Sequence, residues 1–204
     1  MLTGTHFVVG VGSALVITQP QTLPEIITAV TAGAVGGVIA DIDAGGSDRQ
    51  RKAQNRRERV IGATIGAGII LALLVADLIL GAGMWQYVTN NFGLRVIGGI
   101  VGFAALLAVG RSTEHRAFTH SLLALALFGG MVQLFCRPAA LPFLLGYASH
   151  LVLDFFNVRG MQLFFPLGKR VSLGLCRAHD KPNSVLFWAA LAVDVVMCAV
   201  LVVL

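Results

Sequence analysis

SVLFWAALAVDVVMCAVLVVL, from Ser184 to Leu204, runs for 21 residues with one carboxylate and no base. At a helical rise of 1.5 Å per residue such a stretch is about 30 Å long, the thickness of a bilayer's hydrocarbon core. The stretch 60–83 has the same character, with Asp77 as its one charge. Outward from these two, apolar runs between punctuation predict further helices over 5–18, 23–40, 94–110, 118–136 and 139–156. Pro20, Pro24, Pro138, Pro142, Pro166 and Pro182 fall at or near the breaks, where residues that interrupt helices belong. The fold expected is all-α, a polytopic transmembrane bundle of about five to seven membrane helices in a single domain over 1–204. The first two helices are short, and the alternative for 5–40 is a glycine-rich hairpin that enters the membrane only partly.

Composition agrees. Of 204 residues 56% are hydrophobic, and mean hydropathy is +0.82. Charged residues make up 12%, against about 25% in soluble domains, too few to cover a water-facing surface. That excludes a soluble nucleic-acid-binding or cytosolic enzyme domain, and disorder as well. Cys136, Cys176 and Cys198 form no CxxC pair, so neither a disulfide framework nor a zinc knuckle is expected. The N-terminus lacks a charged leader and a small-residue cleavage site, so the first apolar segment is expected to remain in the mature protein.

The net charge of +5 is a matter of topology rather than of a nucleic-acid partner. Arg49, Arg51, Lys52, Arg56, Arg57 and Arg59 crowd one basic loop, 45–59, and Lys and Arg are retained on the cytoplasmic side. With that loop inside, 84–93 falls outside without a base, and Trp85 and Tyr87 sit at the outer interface. The loop 111–117 returns inside with Arg111 and Arg116, and 137–138 lies outside with Arg137 alone. The loop 157–183 lies inside with Arg159, Lys169, Arg170, Arg177 and Lys181. The N-terminus is cytoplasmic in this arrangement, and the location expected is the inner, or plasma, membrane. Close helix packing is expected of Gly62, Gly66, Gly68, Gly98, Gly99 and Gly102.

Ionisable groups at membrane depth are expensive and therefore functional by default. His6, Asp41, Asp43, Glu114, His115, His120, His150 and Asp154 all fall at helix ends that this topology puts on the cytoplasmic side. His150 and Asp154 lie four apart, on one helix face. His115 and His120 lie five apart and converge only if a cap near Thr119 starts the helix and His115 stays in the loop before it. Asp41 and Asp43 alternate, as two carboxylates do when they face one way in extended chain. Four imidazoles with three Asp carboxylates suit zinc, manganese or iron, in two or more ions, rather than calcium or an iron–sulfur cluster. Such centres hydrolyse phosphoesters or amides with metal-activated water.

The stretches HRAFTHSL from His115, GYASHLVLD from Gly146 and GMQLFFP from Gly160, preceded by His6 and Asp41-Ile42-Asp43, resemble the YdjM-like inner-membrane family of metal-dependent hydrolases. Ala117, Asn157 and Ala40 depart from that family's usual glycine, threonine and proline. The resemblance implies a di- or trinuclear metal centre held by His6, Asp41, Asp43, His115, His120, His150 and Asp154. Asp41 or Asp43 would orient the attacking water, with Glu114 a further candidate base. Arg116, Lys169 and Arg170 are candidates for holding an anionic head group. A membrane lipid or another membrane-embedded phosphoester is the substrate expected. The competing class is a metal-ion or proton-coupled transporter that uses the same cluster together with Asp77 and Asp194.

Overall fold

A computed structural model describes residues 2–43, 90–176 and 181–203. The basic loop 45–59, the helix expected over 60–83 with Asp77, Gly62, Gly66 and Gly68, and Trp85, Tyr87 and Arg177 lie outside the described residues. The described chain is built of helices: α1 (Thr3–Thr18), α2 (Leu23–Ile39), α3 (Phe92–Ser112), α4 (Leu122–Phe135), α5 (Arg137–Phe155) and α6 (Lys181–Val203). Two 3-10 turns, Ala40–Asp43 and Phe118–His120, stand directly before or after helices, and strand pairing among the described residues is limited to isolated bridges. The all-α bundle expected from the sequence is what is found.

Local chemistry sets the helix ends. Gln19 takes a left-handed φ of 42° that closes α1. Glu25 then accepts the backbone N–H groups of Gln21 and Thr22 at 2.8 and 3.2 Å, opening α2. Asn91 caps α3 through Leu94 N, and Ser121 caps α4 through Ala124 N. Two boundaries differ from expectation. The helix expected from 118 begins at Leu122, because Phe118–His120 tightens into a 3-10 turn and Ser121 takes the capping role. Pro142 lies inside α5 rather than at its edge. The N–H it lacks would bond one turn back, close to the helix start, and a membrane helix absorbs such a loss where its neighbours pack closely.

Leu23–Asp43, Phe92–Ser112, Arg137–Phe155 and Asn183–Leu201 are long and apolar enough to cross a membrane, and α1 and α4 are shorter apolar helices. Large apolar side chains such as Ile97, Ile100 and Val101 on α3 and Trp188, Val195 and Val196 on α6 point outward, as a lipid-facing surface requires.

The α1–α2 hairpin is not peripheral. It packs against α5 along a seam of glycines at which backbones touch. A Cβ on Gly10 would lie 2.6 Å from the Gly33 carbonyl oxygen, and one on Gly37 would lie 2.5 Å from that of His6. A Cβ on Gly36 would strike the Phe143 carbonyl, and one on Gly146 that of Gly33. Sequence reading had placed the close packing elsewhere. Of its candidates, Gly99 and Gly102 meet α4 at Met131 and Leu134, whereas a Cβ on Gly98 would meet nothing within 4 Å among the described residues. A core of Phe118, Phe128, Val132, Phe143, Tyr147 and Leu151 fills the space between α4, α5 and the second 3-10 turn.

Candidate metal centre

The start of α1, the ends of α2, α3 and α5, and the start of α4 all lie at one end of the bundle, and each delivers a ligand-type side chain. His6 comes from the first turn of α1, Asp41 and Asp43 from the turn after α2, and His115 from the loop after α3. His120 comes from the turn before α4, and His150 and Asp154 from the last turns of α5. His6, His120, His150 and Asp154 are 1% exposed or less, in a region where an unpaired polar group is costly.

Their atoms converge. His120 Nε2 lies 3.2 Å from His150 Nε2, 3.4 Å from Asp154 Oδ2 and 3.7 Å from Asp41 Oδ1. His150 Nε2 is also 3.7 Å from Asp41 Oδ1, and His6 Nε2 is 3.4 Å from Asp154 Oδ1. The rings of His6 and His150 stack at 3.8 Å. His115 Nδ1 lies 2.6 Å from Asp43 Oδ1. Three overlapping sets have their ligand atoms within 4.8 Å of one another: His6, His150 and Asp154; Asp41, His120 and His150; Asp41, Asp43 and His115. Around a tetrahedral ion with bonds of ~2.0–2.1 Å, neighbouring ligand atoms sit about 3.3 Å apart, close to the 3.2–3.4 Å contacts of His120 with His150 and of His6 and His120 with Asp154, so these groups could hold a metal ion.

Protonation follows from the partners on the far side of each ring. His150 Nδ1 lies 2.7 Å from the Gly37 carbonyl oxygen, which can only accept, so Nδ1 carries the hydrogen and Nε2 keeps its lone pair. Thr119 donates its hydroxyl to Asp43 Oδ2 at 2.6 Å, and its oxygen is left to accept from His120 Nδ1 at 3.1 Å. His120 Nε2 is thereby aimed at the centre as well. Two lone pairs pointed at each other across 3.2 Å repel unless a cation or a proton lies among them. Burial opposes charge on His120, but its contacts with Asp154, Asp41 and Asp43 outweigh that and hold its pKa up at about 10. The pocket thus draws positive charge to this nitrogen. His6 Nδ1 is buried with no hydrogen-bond partner among the described residues, while its Nε2 faces Asp154.

The surrounding residues fix the carboxylates. Arg116 has a left-handed φ of 64°. Its N–H reaches Asp43 Oδ2 at 3.1 Å and its guanidinium reaches Asp154 Oδ2 at 2.8 Å. The same guanidinium donates to the Arg159 carbonyl. Tyr147 donates its hydroxyl to the Thr119 carbonyl at 2.5 Å, fastening the turn that carries His120 to α5.

The seven side chains expected as ligands are therefore brought together. Asp41 and Asp43 do it from a 3-10 turn and not from extended chain: α2 runs on into the turn, and Arg116 N–H and Thr119 draw Asp43 inward. Glu114 stands apart, paired with Arg170 at 3.3 Å with both side chains more than a third exposed. Lys169 is exposed. Arg116 is 7% exposed and is committed to Asp154. Sequence reading missed Thr119 as the link from Asp43 to His120 and the Gly37 carbonyl as the group that orients His150. The first could have been found in the Thr119-His120 pair itself; a backbone carbonyl leaves no signal.

Fold and site together define a helical membrane protein whose helix ends gather a buried cluster of histidine and aspartate able to hold a metal ion. The chain belongs to the YdjM inner membrane protein family, whose family model matches residues 1–204. It is also similar to the Bacillus subtilis (strain 168) protein named "Uncharacterized protein YvsG", 38% identical over 68 residues, which are 30% of this chain and 39% of that protein. No solved structure matches the chain.

Proposed function

We propose that this protein is a membrane-bound metal-dependent hydrolase that acts on a phosphoester of a lipid-like substrate at the cytoplasmic membrane face. The observation that carries the reading is the convergence of His120 Nε2 and His150 Nε2, each with its other ring nitrogen already engaged, among the carboxylates of Asp41, Asp43 and Asp154. Such a set calls for further positive charge. When bound, zinc, or manganese or iron in its place, in two or more ions, would lower the pKa of a coordinated water and neutralise charge on phosphoryl oxygens.

The chain's own side chains divide the remaining work. Asp41, whose side chain is 19% exposed where those of His120 and His150 are 0%, would orient the attacking water and accept its proton. Asp43, held by Arg116 N–H and by Thr119, keeps His115 and His120 in register. Arg116 holds Asp154. Lys169 and Arg170, outside the centre, are suited to an anionic head group. Glu114 is placed to steer Arg170 through their ion pair rather than to act on the reacting atoms.

Elemental analysis of the purified protein tests the reading, together with hydrolysis of phospholipid and simple phosphodiesters. Bound metal and turnover should both fall away in His120→Ala and Asp154→Ala. Variants that match the parent in metal content and turnover would overturn the proposal. The transporter alternative rests on Asp194 of α6, buried at 8% exposed, with one oxygen lacking a hydrogen-bond partner among the described residues. Metal uptake into proteoliposomes, lost in Asp194→Asn while metal content persists, would favour it.

A further inference from the structure

The segment 157–176, which follows α5, is two-faced and held by backbone bonds. Its backbone is pinned to α5 by Leu173 N to the Phe155 carbonyl at 2.8 Å and by Leu175 N to the Phe156 carbonyl at 3.0 Å. It is pinned to itself by the paired Met161 and Val171 at 3.1 and 2.9 Å, and to the metal centre by Gln162 N to the Arg116 carbonyl at 2.9 Å. Met161 is buried, and Leu163 and Phe165 pack on the core. On the other side Phe164, Leu167, Leu173 and Leu175 are 55%, 76%, 51% and 69% exposed. Gly168 and Gly174, with φ of 66° and 67°, make the turns beside Leu167 and between Leu173 and Leu175.

Water is a poor account of that outer face, since a loop fixed by so many backbone bonds could have turned polar side chains outward. Its position supplies the partner. The loop leaves one membrane-length apolar helix at Phe155 and returns to another at Asn183, so it lies where two spans emerge from hydrocarbon. Between 157 and 176 it carries Arg159, Lys169 and Arg170 and no acidic residue. Arg170 shares its charge with Glu114 of the neighbouring loop, both side chains more than a third exposed, and Lys169 beside it is exposed. Apolar side chains beside exposed bases are the composition of a segment lying in an anionic lipid interface.

We propose that the outer face of residues 157–176 is immersed in the lipid interface, with Phe164, Leu167, Leu173 and Leu175 among the upper acyl chains and Lys169 and Arg170 against anionic head groups. The immersion rests on the membrane placement of the helices. That the loop presents those head groups to the centre rests in addition on the hydrolase reading.

The test uses the full chain in nanodiscs, with Trp85→Phe and Trp188→Phe removing native tryptophans and Leu167→Trp reporting depth; Leu175→Trp is an independent second reporter should the first variant not fold. With phosphatidylglycerol present, brominated acyl chains should extinguish most of the reporter's fluorescence, and its emission should be blue-shifted. Replacing phosphatidylglycerol by phosphatidylcholine should weaken the quenching, and Lys169→Gln with Arg170→Gln should abolish that lipid dependence. A reporter that emits as in water and is unquenched in both lipids, at both positions, overturns the immersion; equal quenching in both lipids overturns the anionic part. Metal content measured on the same samples separates the two readings. Quenching without bound metal sinks the hydrolase and leaves the immersion standing, and bound metal without quenching does the reverse.

Discussion

Thr119 is the residue whose removal should be most informative, because it ligates nothing yet ties Asp43 to His120. Thr119→Val keeps the shape and deletes the link, and should weaken metal affinity about 10- to 100-fold, whereas Thr119→Ser should hold it near the parent, as read by chelator competition. Arg116→Lys should lose metal as well. An ammonium cannot reach Asp154 and the Arg159 carbonyl together as the two nitrogens of the guanidinium fork do. At this scale the side chains that converge were legible and their supports were not. His150 and Asp154 declare themselves by a spacing of four. Whether His115 and His120 meet depends on where a helix starts, and the sequence could state only the condition, a cap near Thr119; in the structure Ser121 caps α4 and His115 stays in the loop. The Gly37 carbonyl that sets the tautomer of His150 belongs to a residue with no side chain at all.

Among elements, the glycine seam of α1, α2 and α5 sets the position of the site. Gly146→Ala or Gly36→Ala would drive a methyl into a backbone carbonyl of the facing helix, which cannot retreat as a flexible side chain can. Each should cost at least about 1–3 kcal/mol in unfolding experiments in mixed micelles, and should loosen metal as α5 shifts from Gly37. Gly98→Ala on α3 meets nothing among the described residues and should be neutral or stabilising by up to about 1 kcal/mol, the helix-interior penalty of glycine. The sequence displays both sets of glycines alike, since their difference lies in what the facing helix offers. Ser121→Ala removes the cap of α4 and should cost about 1 kcal/mol, while releasing the turn that carries His120.

For the whole molecule, the bundle was readable because lipid imposes so few solutions: apolar length fixed the helices, and the alternation of their ends fixed which polar residues share a side. Tertiary facts, such as the central place of the α1–α2 hairpin, were not readable, because a short apolar helix looks the same at the rim as at the core. A ligand set drawn from the ends of α1 to α5 makes any bound metal a fastener of those five helices. Dialysis against chelator should lower the thermal midpoint, and restoring zinc at a hundredfold excess over its dissociation constant should return about 2.7 kcal/mol. A midpoint indifferent to both would mean that the cluster holds no ion.

The engagement of His150 Nδ1 with Gly37 also limits how the centre can fill. An imidazole with one nitrogen occupied has a single lone pair to give, and two of the three ligand sets claim it. Those two positions are therefore mutually exclusive in their complete form, whereas Asp41, with two oxygens, can serve its two sets at once. Titration with zinc should accordingly saturate at two ions per chain rather than three, the first arrival deciding which neighbour of His150 goes short of a nitrogen.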